Sequence, residues 1–406
     1  MEQNVWFVAA SWMALALAAS LISVRFGISV ALVEIAMGVL AGNFLGFQTT
    51  PWIDFLASLG AGILTFLAGA EIDPDSLRRH LRPSLAIGMA SFLLPFLAAW
   101  AFAHGVLGWT WPQAQIAGVA LSTTSVAVVY AVMVESGLAS TDLGKLILAA
   151  CFITDFGTVL ALGVLFANFN GWLALFVAVT AVTLYFLPRL TRWLIGTLGA
   201  SAVSEPEVKF LFLVLFGLGG LATTARSEAV LPAYLVGLVV AGVFLRDRVL
   251  VHRMRSIAFA LLTPFYFIKA GLYVSVPAIV TGVAVIAALL LVKIAAKFVG
   301  VWPLARACRL PPREGNYVTL LMSTGLTFGT ISALFGLTDG IIDQAQYTVL
   351  VTVVILSAVV PTLLAQALFQ PRIPLAERDA AVAEEVPPLP RAAGTGERSW
   401  KPEEIR

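Results

Sequence analysis

Thirteen apolar runs fill most of residues 5–369, and they decide what this chain can become. In lipid every backbone N–H and C=O must find its partner within the protein. Runs of this length therefore fold as membrane-crossing helices and not as a β-barrel. They cover 5–24, 28–47, 52–71, 84–105, 112–134, 143–168, 171–188, 208–224, 229–245, 256–272, 278–300, 316–336 and 346–369, numbered here as spans 1 to 13. Only 12% of the chain is charged, against about 25% in a soluble domain. The fold class expected is an all-α polytopic membrane protein in contact with the lipid bilayer, with no nucleic-acid partner. Span 1 lacks a basic leader and a small-residue cleavage site, so it reads as a retained helix. Cys151 and Cys308 carry no metal or disulfide spacing, and His80, His104 and His252 fall at loops or span ends. No cofactor is expected.

The connections separate by charge. One set carries Arg25, Arg78, Arg79, Arg82, Lys145, Arg189, Arg192, Lys209, Arg246, Arg248, Arg253, Arg255, Arg306, Arg309 and Arg313, and the opposite set carries only Arg226. The positive-inside rule then places the N-terminus outside and the C-terminus in the cytoplasm. The expected location is a prokaryotic inner or plasma membrane. Residues 1–370 read as one transmembrane domain. Residues 371–406, rich in Pro, Ala, Glu and Arg, read as a disordered cytoplasmic tail.

The two halves echo each other at an offset of 200–201 residues. Ala41-Gly42-Asn43-Phe44-Leu45 recurs as Ala241-Gly242-Val243-Phe244-Leu245, Phe66-Leu67 as Phe267-Ile268, and Leu121-Ser122-Thr123 as Met322-Ser323-Thr324. Seven spans separate the partners, so the copies cross the membrane in opposite directions. Spans 1–6 (about 5–168) would match spans 8–13 (about 208–369), with span 7 (171–188) as linker, an inverted-topology repeat. Chance similarity among small-residue-rich segments is the competing explanation.

Asp155 stands alone in Leu146–Phe166, a stretch otherwise apolar or small and uncharged. A carboxylate at mid-membrane costs roughly 2.5–3.5 kcal/mol or more and by default marks an ion or proton path. A structural cation partner or a helix-capping role is the plainer alternative. Span 5 carries Ser122-Thr123-Thr124-Ser125, and its repeat mate carries Ser323-Thr324-Gly325 followed by Thr327, Gly329 and Thr330. Hydroxyls can take over freed backbone hydrogen bonds and glycine tolerates unwinding, so both spans are candidates for broken helices that cross near the midplane. Ordinary Ser/Thr and Gly packing between close helices is the alternative. Lys293 and Lys297 lie one turn apart in span 11, and Lys269 lies in span 10. Snorkelling to an interface is a serious alternative for Lys269 and Lys297, and harder for the deeper Lys293. Glu34 lies in span 2; Glu71 and Asp73 read as interfacial.

These residues resemble the monovalent cation:proton antiporter-2 family, the Kef-type sodium/hydrogen exchanger membrane domain, over 5–369. The resemblance rests on Phe66 through Asp73, on Leu32-Val33-Glu34 through Ala41-Gly42, on Thr154-Asp155-Phe156-Gly157, on Thr124-Ser125 and on Lys297-Phe298-Val299-Gly300. It implies a mobile core with two crossed broken helices docked on a dimerisation scaffold, working as a homodimer. It also implies a non-enzymatic exchanger of Na⁺ or K⁺ for protons. Asp155 would be the metal-binding carboxylate, helped by Thr154, Thr124 and Ser125. Thr123, Ser323, Thr324 and Gly325 would shape the breaks, and Lys297 and Lys293 would be charge partners; Lys269 is a further candidate charge partner, to which the family pattern assigns no role. The family pairs Asp155 with a preceding acid in electrogenic members and often with Asn in electroneutral ones; Thr154 is neither. One carboxylate favours electroneutral exchange. A Na⁺-coupled symporter of an organic anion, using Lys269 and Lys293, is the alternative.

Overall fold

The computed structural model describes residues 4–26, 29–70, 72, 81–136, 138, 141–166, 171–198, 205–225, 229–244 and 248–371. Glu71, Asp73 and nearly all of the expected tail lie outside these residues. Each apolar run is helical, and no strand occurs among the described residues. Among the described residues nine helical segments are long and apolar enough to cross a bilayer, the interrupted Pro312–Thr338 of span 12 among them, and span 2 and span 9 are shorter apolar helices.

The inverted repeat is visible in the helix boundaries. Span 2 is Val30–Phe44 and span 9 is Val230–Phe244. Span 5 breaks into Trp111–Ser122 and Val126–Glu135; span 12 breaks into Pro312–Met322 and Thr327–Thr338. Span 6 (Asp142–Leu165) and span 13 (Gln344–Leu364) both begin behind a side-chain cap, from Thr141 and Asp343 respectively.

The spans sort into two bundles. Span 4 (Leu81–Gly105), spans 5 and 6, span 11 (Val276–Ala307) and spans 12 and 13 pack together as a core. Span 3 (Pro51–Ala70) lies against span 9, and span 2 against the second half of span 10 (Thr263–Leu272), forming a scaffold with span 1 (Val5–Phe26). Glycines set these scaffold contacts. A Cβ on Gly38 would strike the Ile268 carbonyl and one on Gly271 the Ile35 carbonyl. In the other pair a Cβ on Gly69 would strike the Tyr234 carbonyl and one on Gly237 the Phe66 carbonyl. Backbone therefore meets backbone, the small-residue packing that replaces the hydrophobic drive inside lipid.

Two tyrosines are among the residues that bond core to scaffold. Tyr234 of span 9 donates its hydroxyl to the Phe152 carbonyl of span 6 (3.1 Å). Tyr347 of span 13 donates to the Ala270 carbonyl of span 10 (2.5 Å).

Candidate functional site

A broken helix must dispose of the carbonyls its first half leaves open. In span 5 Ser122 donates to the Val119 carbonyl (2.8 Å) and Thr123 to the Ala120 carbonyl (3.1 Å). In span 12 Ser323 donates to the Thr319 carbonyl (2.7 Å) and Thr324 to the Leu321 carbonyl (2.8 Å). Ser125 caps the next half-helix by accepting from the Val128 amide (3.4 Å). The hydroxyl runs thus do the work that Ser/Thr side chains do wherever a membrane helix is interrupted.

The two breaks meet. Thr124 Oγ1 donates to the Met322 carbonyl (3.0 Å), and the Ser125 amide donates to Thr324 Oγ1 (3.3 Å). Gly325 has no room for a side chain: a Cβ there would sit 2.7 Å from Thr123 Oγ1 and 3.3 Å from Ser357 Oγ, and would strike Lys293 Nζ. Its missing Cβ lets the chains cross.

Span 6 brings Asp155 to this crossing. One turn before it, Cys151 Sγ lies 3.7 Å from Met322 Sδ; one turn after it, Thr158 Oγ1 lies 3.4 Å from Ser122 Oγ. Asp155 is therefore bracketed by a contact to each break. It is 1% exposed, and its Oδ1 has no hydrogen-bond partner among the described residues. An unpaired buried carboxylate oxygen is expensive unless something else satisfies it. A dehydrated monovalent cation or a proton fits that need. Thr154, beside it, turns its hydroxyl to the carbonyls of Gly88 (3.1 Å) and Ala150 (3.0 Å), tying span 6 to span 4.

The lysines divide between the breaks. Lys297 is wholly buried, and its Nζ donates towards Ser91 Oγ (2.7 Å), the Ser122 carbonyl (3.0 Å), Thr124 Oγ1 (3.2 Å) and the Thr123 carbonyl (3.4 Å). It places positive charge at the C-terminal, partially negative end of the half-helix Trp111–Ser122. Lys297 also lies within coulombic reach of Asp155. Lys293, equally buried, donates to Ser357 Oγ (2.9 Å) beside Gly325. Lys269 is not at the crossing; it pairs with Asp54 of span 3 at 2.7 Å.

Sequence reasoning missed four residues that build this site: Ser91, Thr158, Tyr234 and Ser357. Helix boundaries align Ser357 with Asp155, each thirteen residues after the first residue of its helix, whereas the 200–201 offset read from sequence lands on Ile355 or Leu356. Ser91 gave no sequence signal either.

Crossed half-helices at a buried carboxylate, inside an inverted repeat of thirteen spans, define a membrane transporter of the broken-helix class. The comparisons narrow this further. The family profile described as sodium/hydrogen exchanger, transmembrane, matches residues 13–370, and the chain belongs to that family. Among its relatives is a probable Na⁺/H⁺ antiporter 3 of Methanocaldococcus jannaschii, 22% identical over 84% of this chain and 89% of its own length. A Na⁺/H⁺ antiporter of Enterococcus hirae is 24% identical over 84% of this chain and 92% of its own length. The Na⁺/H⁺-K⁺ antiporter GerN of Bacillus cereus is 23% identical over 84% of this chain and 89% of its own. The fold matches the sodium proton antiporter MjNhaP1 of M. jannaschii with a TM-score of 0.67 and 14% identity, over 90% of this chain and 98% of that one.

Proposed function

We propose that the chain exchanges one monovalent cation, Na⁺ or K⁺, for one proton across a prokaryotic inner or plasma membrane. The carrying observation is Asp155, a single buried carboxylate with an unpartnered oxygen at the crossing of two broken helices. Ionised, it takes the cation, with oxygens from Thr124, Ser125 and Thr154. A hydroxyl that donates to a carbonyl keeps its lone pairs, so Thr154 and Thr124 remain usable as ligands. Protonated, Asp155 releases the cation. Either way its charge is neutralised when the core moves, which removes the barrier an uncompensated charge would raise.

The relatives' names as Na⁺/H⁺ antiporters support this reading. The name of the Bacillus cereus relative keeps K⁺ open as cargo. Lys269 is taken by Asp54 and Lys293 by Ser357, so neither is free to receive an organic anion, which argues against the symporter. Lys297 supports the one-to-one ratio. Its Nζ faces four acceptors, more than its three N–H groups can serve, an arrangement that favours the protonated form. The chain works as a homodimer, with the basic connections and the C-terminal tail in the cytoplasm.

The test is purified protein in proteoliposomes with an internal pH dye, pulsed with Na⁺, K⁺ or choline. Proton movement with Na⁺ or K⁺ and not with choline is expected, with no organic substrate present. A membrane potential is worth about 2.3 kcal/mol per charge per 100 mV, so a clear response of Na⁺-driven flux to an imposed potential would reject the electroneutral ratio.

A further inference from the structure

Lys269 is the one intramembrane lysine that the crossing does not use. It lies in the last turn of span 10, and its Nζ meets Asp54 Oδ1 at 2.7 Å, Asp54 being in the first turn of span 3. Each helix end suits its charge: a carboxylate near an N-terminus and an ammonium near a C-terminus. The Lys269 side chain is 6% exposed, whereas that of Asp54 is 44% exposed. The pair sits on the face of the bundle opposite the basic connections. There Lys269 lines a cavity of about 210 Å³ between scaffold and core. Ser58, Gly62 and Tyr266 form its scaffold wall, and Leu334, Phe335 and Thr338 from the second half of span 12 form its core wall. That half-helix leads back to the break beside Asp155.

We propose that Asp54 is the first contact for cations entering from this face, and that Lys269 sets its strength by occupying the carboxylate as a tethered cation. The inference rests on the exchange reading above. An unpaired Asp54 would draw entering cations more strongly than the paired one. An unpaired Lys269 would leave a buried positive charge on the wall of the cation's path. The pair keeps the mouth of the cavity neutral, and Asp54, outside the cavity lining and more exposed, can meet a cation with the oxygen that Lys269 does not take.

The experiment measures the apparent KM for Na⁺ on each face, in vesicles of defined orientation, for Asp54→Asn, Lys269→Met and the double variant. Asp54→Asn should raise KM on this face several-fold, because it removes the carboxylate and leaves the buried Lys269 charge unpaired. Lys269→Met should lower it several-fold, and the double variant should return to within about twofold of the parent, because the two charges are removed together. KM on the basic face should stay unchanged. Lys269→Arg keeps the charge and should behave as the parent, and it serves as the readout if Lys269→Met does not fold. Single variants that shift KM in the same direction, that move both faces equally, or that shift nothing would overturn the proposal. If the parent moves no protons in response to Na⁺ or K⁺, the exchange reading itself fails, an outcome distinct from any of these.

Discussion

The break in span 5 and the break in span 12 are copies of one design that have been finished differently. Both close their open carbonyls with hydroxyls, and both have a buried lysine beside them from span 11. Around the first, Lys297 meets four acceptors and a carboxylate stands on the facing helix. Around the second, Lys293 meets one hydroxyl, and the residue at the repeat position of Asp155 is Ser357. The inverted repeat makes the frame symmetric, while the chemistry that can bind a charge is placed in one copy. On the exchange reading a second midplane carboxylate would let two protons or two cations share the cycle, and Ser357 puts a hydroxyl there instead.

The largest effect that separates the copies should come from the pair Asp155→Asn and Ser357→Ala. Asp155→Asn is expected to abolish cation-driven proton flux, with expression and dimerisation near the parent's. Ser357→Ala should keep most of the flux. Robust flux through the Asn variant would remove Asp155 from the mechanism and with it the asymmetry.

The lysines come next. Lys297→Met leaves the Ser122 and Thr123 carbonyls without their donor. A buried polar group left unpaired costs about 1–3 kcal/mol, so a thermal shift of several degrees downwards is expected. Lys293→Met removes one hydrogen bond, and Ser357 keeps its bond to the Val354 carbonyl (2.8 Å). Its effect should stay within about 1 kcal/mol, since exchanging a buried charge for an apolar chain of similar volume is often near neutral. Equal shifts in a thermal-melt assay would mean that the two breaks are held alike.

The smallest effect is the finest probe. Thr124→Val removes one candidate oxygen and the bond to the Met322 carbonyl. It should weaken apparent cation affinity by several-fold and change the maximal rate less, because the hydroxyl carries no transported proton. Unchanged affinities for Na⁺, K⁺ and Li⁺ would place the ligands elsewhere along the crossing.

The architecture could be read from the sequence because each of its causes is local or periodic. Apolar length gives a span, an offset of 200–201 residues gives the repeat, and a lone Asp among apolar residues points to the candidate site. The break residues were legible for the same reason: four hydroxyls in a row are a local pattern with a local consequence. What pairs with what was not legible. Ser91 is 206 residues from Lys297, and the Asp54 that neutralises Lys269 belongs to another helix altogether. Snorkelling was the simplest account of Lys269 and Lys297 until the packing placed partners beside both. Thr154 and Asp155 are adjacent in sequence but point to different neighbours, a divergence that helical geometry makes normal and that a motif alone does not show.

The two tyrosine bonds between core and scaffold carry one more consequence. Both are accepted by main-chain oxygens, and a helix repeats its carbonyls every turn, about 5.4 Å along its axis. A tyrosine hydroxyl that lets go of one carbonyl therefore finds its next equivalent rest one turn further on, with poorer partners between. Tyr234 reaches from the scaffold to a core carbonyl and Tyr347 from the core to a scaffold carbonyl, so a core that slid during exchange would release both and let both re-engage a turn further on. On the exchange reading such a boundary would work as a detent with a fixed pitch, resisting small excursions and permitting whole steps, so that a sliding part could dwell at defined stops.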